Sequence, residues 1–204
     1  MKKILVTAFE PFDGRGGNPT LGVLAALKAP AGTRLFKARL PVSGRAVGKK
    51  ISALLARVKP DAVVSLGLAA GEAAVRVERF AVNIADYRIK DNAGWRPEGE
   101  KLDEKGPAAY FVTINPLKLA AAVRRAGVPA YVSNHAGGYV CNTLMYRAMR
   151  AMELSGRAAK YAFIHIPVST EMALKEKPSS KISPSLPLAL LAKAVQAAIK
   201  EAAR

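Results

Sequence analysis

Short apolar runs alternate along this chain with longer amphipathic segments. Residues 3–8 and 62–66 are rich in β-branched side chains and have the length of buried strands. Residues 19–28 have the helical period, with Asn18 as a suitable N-cap and Pro19 at the first helical position. Because strands that alternate with helices form parallel sheets, the sequence predicts an α/β fold. We expect a single domain over residues 1–204, built as a twisted, mostly parallel sheet with helices on both faces.

The same patterns place the remaining elements. Further strands are predicted at residues 34–40, 75–85, 129–133 and 160–166, and further helices at 43–57, 115–126, 140–152 and 185–202. Residues 86–107 are rich in Gly, Pro, Asp and Asn and predict a loop of about 20 residues, a length that is usually functional or mobile. The Lys-, Ser- and Pro-rich residues 175–187 predict an exposed loop.

Apolar segments and cysteine content bear on the compartment. The first apolar run, residues 4–9, ends at Glu10 and Pro11 before it reaches the length of a signal-peptide core. No run approaches the roughly 18 to 20 apolar residues that span a bilayer. The single cysteine excludes an internal disulfide and fits a reducing compartment. We therefore expect a cytoplasmic protein without a membrane anchor.

The charge is strongly basic, with 32 Lys plus Arg against 15 Asp plus Glu and a formal net charge of +17. A dense positive surface binds polyanions through release of their counterions. Here the basic residues are scattered and form no long run of like charge. The pattern favours a solvated surface, with nucleic acid bound only non-specifically.

Cys141 is the most informative single residue. It follows a predicted strand and the pair Gly137 and Gly138, and it lies in the first turn of a predicted helix. Free N–H groups and the positive end of the helix dipole favour a thiolate and can bind an oxyanion. The alternative is that Cys141 is a small core residue.

Two histidines and one carboxylate could assist this thiol. His165 lies near the end of an apolar strand, where side chains of open α/β sheets reach the catalytic edge, whereas His135 lies in the glycine loop. His165 is therefore the better general base, and Glu78 is a candidate to orient its ring. The alternatives are a satisfied core histidine and a pairing of Glu78 with Arg76 or Arg79 on an exposed strand face.

Metal and nucleotide chemistry find little support. The one Cys and two His lack the close spacing of a zinc site. The glycines around Arg15 are not followed by the Gly-Lys-Ser/Thr ending of a phosphate loop. We expect neither a metal nor an organic cofactor.

Five ordered segments resemble one enzyme family. They are Thr7 to Phe12 followed by Asn18 and Pro19, Glu78 to Asn83, Gly106 to Phe111, Ser133 to Asn142, and Phe163 to Pro167. At these positions the chain is similar to pyroglutamyl peptidase I, also called pyrrolidone carboxyl peptidase, a family of cysteine peptidases that remove N-terminal pyroglutamate from peptides. The resemblance runs from the first strand to the last helix. It implies an α/β fold with helices on both faces, often assembled as a tetramer.

The resemblance also assigns roles to particular residues. It implies that Glu78, Cys141 and His165 form the catalytic triad. Arg88 matches a family arginine near the active site, which either stabilises the oxyanion or forms a salt bridge within the long loop.

Phe9 and Phe12 match the aromatic pair that holds the lactam ring of the substrate. A flat, neutral ring suits recognition by stacking and a few hydrogen bonds. Their alternative role is ordinary core packing after the first strand.

The chain departs from the family pattern at several positions. Ala8 stands where the family usually has Gly, Leu68 where many members have Gln, and His135 where Thr is common. The loss of the glutamine side chain at Leu68 bears on substrate affinity. Two other functions therefore stay open, an amidohydrolase of another lactam or acyl group and a non-catalytic, polyanion-binding protein on the same fold.

Overall fold

The computed structural model describes residues 1–175 and 183–204. The strands are β1 (Lys2–Phe9), β2 (Thr33–Leu40), β3 (Ala62–Leu68), β4 (Val75–Val82), β5 (Ala85–Asp86), β6 (Glu98–Glu100), β7 (Ala109–Phe111), β8 (Ala130–His135), β9 (Lys160–Ile166), β10 (Val168–Ser169) and β11 (Ser185–Leu186). The helices are α1 (Pro19–Ala26), α2 (Gly44–Val58), α3 (Pro116–Arg125), α4 (Val140–Leu154), α5 (Thr170–Ala173) and α6 (Leu188–Ala202).

The central sheet has the strand order β2-β1-β3-β9-β4-β7, and β8 also pairs with β4. β1 runs parallel to β2 and β3, β3 runs parallel to β9, and β8 runs parallel to β4. The two antiparallel pairings are β4 with β9 and β4 with β7. The sheet is therefore mixed but mostly parallel, as the sequence predicts.

Alternate residues of the central strands supply two separate cores. One face of the sheet buries residues such as Ile4 and Ile164 against helices α1, α3 and α6. The opposite face buries residues such as Leu5 and Phe163 against helices α2 and α4. Since successive side chains of a strand point to opposite faces, an unbroken apolar run predicts a strand covered on both sides. The expected arrangement with helices on both faces is confirmed.

Most predicted elements agree with the structure to within a few residues, and two caps are as expected. The side chain of Asn18 accepts a hydrogen bond from Thr20 N, and that of Ser43 accepts one from Ala46 N. The last helix begins at Leu188 rather than at residue 185, because Ser185 and Leu186 pair with β10. The loop predicted at 175–187 is wrong at these two residues, and its positions 176–182 lie outside the described residues.

The segment predicted as a long loop, residues 86–107, is held by defined contacts. The prediction is wrong at Asp86 and at Glu98–Glu100, because β5 and β6 form by pairing with each other. Buried Asp91 accepts hydrogen bonds from Gly44 N, Ala93 N and Trp95 N. Arg150 of α4 binds the Asp103 carboxylate at 2.8 Å. The loop therefore folds over α2 and α4 and brings its first residues to the edge of the sheet.

Candidate active site

A buried acid–base pair links two central strands. His165, the penultimate residue of β9, is 4% exposed, and Glu78 on β4 is fully buried. The Nδ1 atom of His165 lies 2.7 Å from Oε1 of Glu78. A carboxylate at this distance selects the ring tautomer that carries its proton on Nδ1, which leaves Nε2 free to accept a proton.

Arg76 binds the same carboxylate oxygen. Its Nε and Nη2 atoms both donate to Glu78 Oε1 at 3.1 Å, and Nη1 donates to Glu72 Oε1 at 3.0 Å. The sequence left open a pairing of Glu78 with Arg76 on an exposed strand face. The two residues do pair, but the exposed face is wrong, because Glu78 has no accessible surface.

The surroundings of Glu78 determine its charge. Burial opposes ionisation, but the hydrogen bond and charge of His165, together with Ser133 and the Arg76 guanidinium, hold the pKa of Glu78 below its ordinary value. The carboxylate is therefore ionised at neutral pH and can stabilise a protonated imidazole.

Cys141 occupies the second position of α4 and is half-buried. The N-cap residue, Tyr139, provides no side-chain hydrogen bond to the end of the helix. The first N–H groups of a helix need partners from outside it. The N-terminus of α4 is thus available to an anionic oxygen that forms next to the thiol.

The glycine loop before α4 has a demanding backbone. Gly137 has φ of +81°, and a Cβ atom on Gly138 would lie 2.7 Å from the carbonyl oxygen of Asp86. His135 is exposed and accepts a hydrogen bond from Gly137 N through Nδ1. His135 therefore supports the loop, whereas His165 faces the cavity.

Asn142 ties the start of α4 to the sheet. It is fully buried, its Oδ1 accepts from Val82 N, and its Nδ2 donates to Val82 O and Ile84 O. These three hydrogen bonds fix the position of the preceding residue, Cys141, relative to β4.

The surroundings of Cys141 oppose the thiolate that its place at the start of a helix favours. Burial, together with the charge of Glu78, raises the pKa of the Cys141 thiol to about 12, against a smaller opposing effect of Arg76. No hydrogen bond joins the described thiol to the His165 ring. Burial therefore favours the neutral thiol, which needs a base to become a nucleophile.

One cavity of about 340 Å³ brings the predicted residues together. Its lining includes Phe9, Phe12, Leu68, Arg76, Arg88, Tyr139, Cys141 and His165. Glu78 lies behind His165 and is absent from the lining. A cavity of this size suits a small ring and not an extended peptide.

Aromatic rings form one wall of this cavity. Phe9 is 2% exposed, and the Phe12 ring lies 6.0 Å from that of Tyr139, which in turn lies 4.7 Å from that of Tyr87. Phe9 also packs in the core, so its two proposed roles are compatible. Arg88 is exposed, and within residues 1–175 and 183–204 it forms no ion pair, so the alternative of a loop salt bridge is wrong for the described residues.

Gly67 makes room for the histidine. β3 pairs with β9 so that Gly67 stands opposite His165. A Cβ atom at Gly67 would lie 2.7 Å from Cδ2 and 2.8 Å from Nε2 of that ring. Local sequence does not reveal this role of Gly67, because the need for a missing side chain arises only from the pairing of two distant strands.

A second cavity of about 590 Å³ adjoins the first. The two share Asp13, Arg15 and Asn18 in their lining. Glycines of the loop after β1 and residues of α1, β10, α5 and α6 also line it. The small cavity therefore opens into a larger one.

The described part of the chain holds neither a candidate metal cluster nor a candidate membrane span. No group of three or more His, Cys, Asp or Glu side chains there is arranged to hold a metal ion. No helix in the same residues is long and apolar enough to cross a membrane.

The fold and the site define a class, the cysteine-type hydrolases with an α/β fold. A family model described as pyroglutamyl peptidase matches residues 2–204. The chain therefore belongs to the pyroglutamyl peptidase family and is a cysteine peptidase.

Named relatives and solved structures agree with this family. The chain is 42% identical over 199 residues to the pyrrolidone-carboxylate peptidase of Thermococcus kodakarensis. The alignment covers 97% of this chain and 94% of the relative. It is similar in structure to the pyrrolidone carboxyl peptidase of Thermococcus litoralis, with a TM-score of 0.94, 35% identity and coverage of 100% and 94%. A mutant pyrrolidone carboxyl peptidase of Pyrococcus furiosus gives a TM-score of 0.94 at 34% identity, with 98% of each chain covered.

Proposed function

We propose that this protein removes N-terminal pyroglutamate from peptides with Cys141 as nucleophile, His165 as general base and Glu78 as the group that orients the histidine. The observation that carries the proposal is the buried 2.7 Å contact between His165 Nδ1 and Glu78 Oε1, behind a cavity that Cys141 also lines. Membership of the pyroglutamyl peptidase family supports the choice of substrate.

The proposed reaction starts from the neutral thiol. His165 Nε2 takes the proton of Cys141 as sulfur attacks the pyroglutamyl carbonyl carbon, and ionised Glu78 stabilises the imidazolium that forms. The imidazolium then gives its proton to the leaving amine, and a thioester remains. Water, activated by His165, hydrolyses the thioester and regenerates the thiol. No step requires a metal or an organic cofactor.

The tetrahedral intermediates carry a negative oxygen that needs donors. The backbone N–H of Cys141, at the uncapped start of α4, is the first donor in this proposal. Arg88 is the second, since it lines the cavity without a carboxylate partner in the described chain. Its exposure leaves it free to approach a bound substrate.

The proposed lactam site is aromatic and mostly neutral. Phe9 and Phe12 provide apolar faces for a flat ring, and a cavity of about 340 Å³ admits it. Leu68, 9% exposed, adds apolar surface where a glutamine would add hydrogen bonds. The peptide beyond the lactam extends toward the adjoining cavity in this proposal.

A fluorogenic pyroglutamyl amide tests this proposal. We expect cleavage by the wild type, loss of activity after iodoacetamide treatment, and at least a thousandfold lower rate for Cys141→Ser and Glu78→Gln. Wild-type activity in Cys141→Ser would refute the assignment of the nucleophile. Labelling of Cys141 without cleavage of any pyroglutamyl substrate would favour an amidohydrolase of another lactam or acyl group.

A third outcome concerns polyanions. Tight, salt-dependent binding of DNA or RNA without hydrolysis would favour the non-catalytic, polyanion-binding protein. The net charge of +17 supports non-specific affinity but supplies no hydrolytic chemistry.

Three further proposals concern the domain, the compartment and the assembly of the protein. The chain acts as one domain over residues 1–204 in the cytoplasm, where a reducing environment keeps its single cysteine as a thiol. It assembles as a homotetramer; the 70% exposure of Phe111, whose ring lies 5.5 Å from that of Phe80, supports burial of this surface by another copy. Light scattering coupled to size exclusion tests the assembly, and a monomer would contradict it.

A further inference from the structure

We propose that Arg76 is a positioning residue that holds Glu78 against His165 and offsets the negative charge of Glu78 at the Cys141 thiol. The inference rests on the proposed function, because it concerns the same triad. It adds to the triad a charged residue whose sequence pattern also suits a pairing on the surface.

Arg76 and His165 bind the same oxygen of Glu78. Oε1 of Glu78 accepts from the Arg76 Nε and Nη2 atoms at 3.1 Å each and lies 2.7 Å from His165 Nδ1. Three donors on one oxygen fix the carboxylate in rotation, so the imidazole is held in one orientation. Glu78 Oε2 is buried without a hydrogen-bond partner in the described structure, so the contacts to His165 and Arg76 are all made through Oε1.

The Arg76 guanidinium is itself held in place by Glu72. Glu72 binds Arg76 Nη1 at 3.0 Å, and the Tyr131 hydroxyl donates to the other oxygen of Glu72 at 3.1 Å. The Arg76 side chain is only 21% exposed. A tethered, planar donor fork keeps its geometry better than a mobile lysine would.

The charges of Glu78 and Arg76 act in opposite directions on Cys141. An ionised Glu78 helps the histidine but opposes ionisation of Cys141, because both groups would be negative. The guanidinium acts in the opposite direction and favours the thiolate. Arg76 therefore allows the carboxylate to stay charged with a smaller penalty at the nucleophile.

Several charged and titratable groups surround the thiol or line its cavity. They are Glu78 and Arg76 on β4, His165 and Tyr161 on β9, Tyr87 and Tyr139 beside α4, and Asp13, Arg15, Glu72, Asp86 and Arg88 along the cavity. Arg76 is the cation among them that contacts the triad carboxylate directly.

Alkylation of the single cysteine provides a test that needs no substrate. The rate constant for reaction with iodoacetamide is measured from pH 6 to 10 by intact mass, for the wild type, Arg76→Met, Arg76→Lys and the control Arg79→Met. Arg79 lies on the same strand and its replacement removes the same charge. Kinetics on a pyroglutamyl amide give kcat and KM for each variant.

We expect Arg76→Met to react roughly tenfold more slowly at pH 7.5, with its profile displaced to higher pH by about one unit. Its kcat falls by at least about tenfold, and KM changes less. Arg76→Lys recovers most of the alkylation rate because it keeps the charge, and Arg79→Met matches the wild type. An unchanged profile in Arg76→Met, or no recovery in Arg76→Lys, would overturn the inference.

Arg76→Gln gives a second measurement if Arg76→Met does not fold. Loss of the positive charge should again slow alkylation roughly tenfold, and a wild-type rate in this variant would also count against the proposal. If the wild type cleaves no pyroglutamyl amide, the proposed function fails, whereas the alkylation series still decides whether Arg76 acts on the thiol.

Discussion

Glu78 is a buried carboxylate whose charge depends on its neighbours. Moving an ion out of water is unfavourable, and only close opposite charges and donors make it tolerable. His165 and Arg76 supply both, so its pKa lies below the ordinary value. Folding stability should therefore depend on pH through this residue.

The sign follows from the direction of the pKa shift. A carboxyl group whose pKa is lower in the folded state stabilises the fold above its ordinary pKa of 4.5, and this contribution is lost as pH falls through the folded value. We expect Glu78→Gln to lower the free energy of unfolding by about 3 kcal/mol at pH 7, since Arg76 loses its buried partner. The difference from the wild type should shrink below pH 4.5.

Urea unfolding at pH 7 and pH 3.5 measures this difference. Glu100→Gln, at an exposed position on β6, is the matched control and should be near neutral at both values. A difference for Glu78→Gln that stays constant with pH would show that its charge does not stabilise the fold.

Gly67 affects the site by lacking a side chain. The methyl group of Gly67→Ala would approach the His165 ring to 2.7 Å, closer than carbon atoms tolerate, so the ring must move. A shift of about 1 Å in a catalytic group can reduce the rate about a hundredfold. We expect that loss in kcat/KM, with destabilisation of about 1 to 3 kcal/mol from overpacking.

Gly48→Ala is the comparison for this substitution. Gly48 lies within α2, where alanine is the better helix former and the nearest neighbour is the flexible side chain of Arg147 at 3.3 Å. Full activity in Gly67→Ala would mean that the ring does not need the space above Gly67.

At the scale of elements, Asn142 makes three hydrogen bonds that hold the start of α4 against the end of β4. Replacement by alanine removes three buried hydrogen bonds and leaves the Val82 and Ile84 backbone groups without those partners. We expect Asn142→Ala to lower the free energy of unfolding by about 3 kcal/mol and to slow catalysis as Cys141 shifts.

Asn115→Ala is the matched control, since Asn115 caps α3 at an exposed position and contacts no part of the site. Loss of such a cap costs about 1 kcal/mol, and activity should be retained. Equal destabilisation by both substitutions, measured by thermal unfolding, would contradict the special role of Asn142.

Elements with a clear local pattern could be predicted from the sequence. The strand predicted at 160–166 matches β9, and Cys141 falls in the first turn of α4 as expected. The three-residue strand β7 was missed, because it exists through pairing with Phe80 to Val82 and not through its own period. The pairing of β10 with β11 joins distant segments and was missed for the same reason.

The candidate site could also be predicted only in part from local sequence. Alternation predicts that Arg76 and Glu78 share one face of a strand, but the same pattern suits an exposed ion pair and a buried one. The difference arises because β8 and β9 flank β4, which local sequence does not reveal. Burial of Cys141, which raises its pKa, likewise depends on the packing of elements far apart in the chain.

At the scale of the whole molecule, the net charge of +17 is spread over both sides of the sheet. Lys49 and Lys50 are exposed on α2, and Arg124 and Arg125 are exposed on α3, which packs against the opposite face. A surface that is positive on both sides attracts phosphates without presenting one shaped groove. Such binding depends on counterion release and carries no sequence preference.

We therefore predict that duplex DNA binds weakly and loses at least about tenfold in affinity between 50 and 200 mM salt. Fluorescence anisotropy with two unrelated sequences of equal length measures this, and both should give the same curve. Cys141→Ser should bind as the wild type does, because surface charge, unlike hydrolysis, does not need the thiol. A sequence preference, or an affinity that persists at 200 mM salt, would require specific contacts and would contradict a purely electrostatic origin.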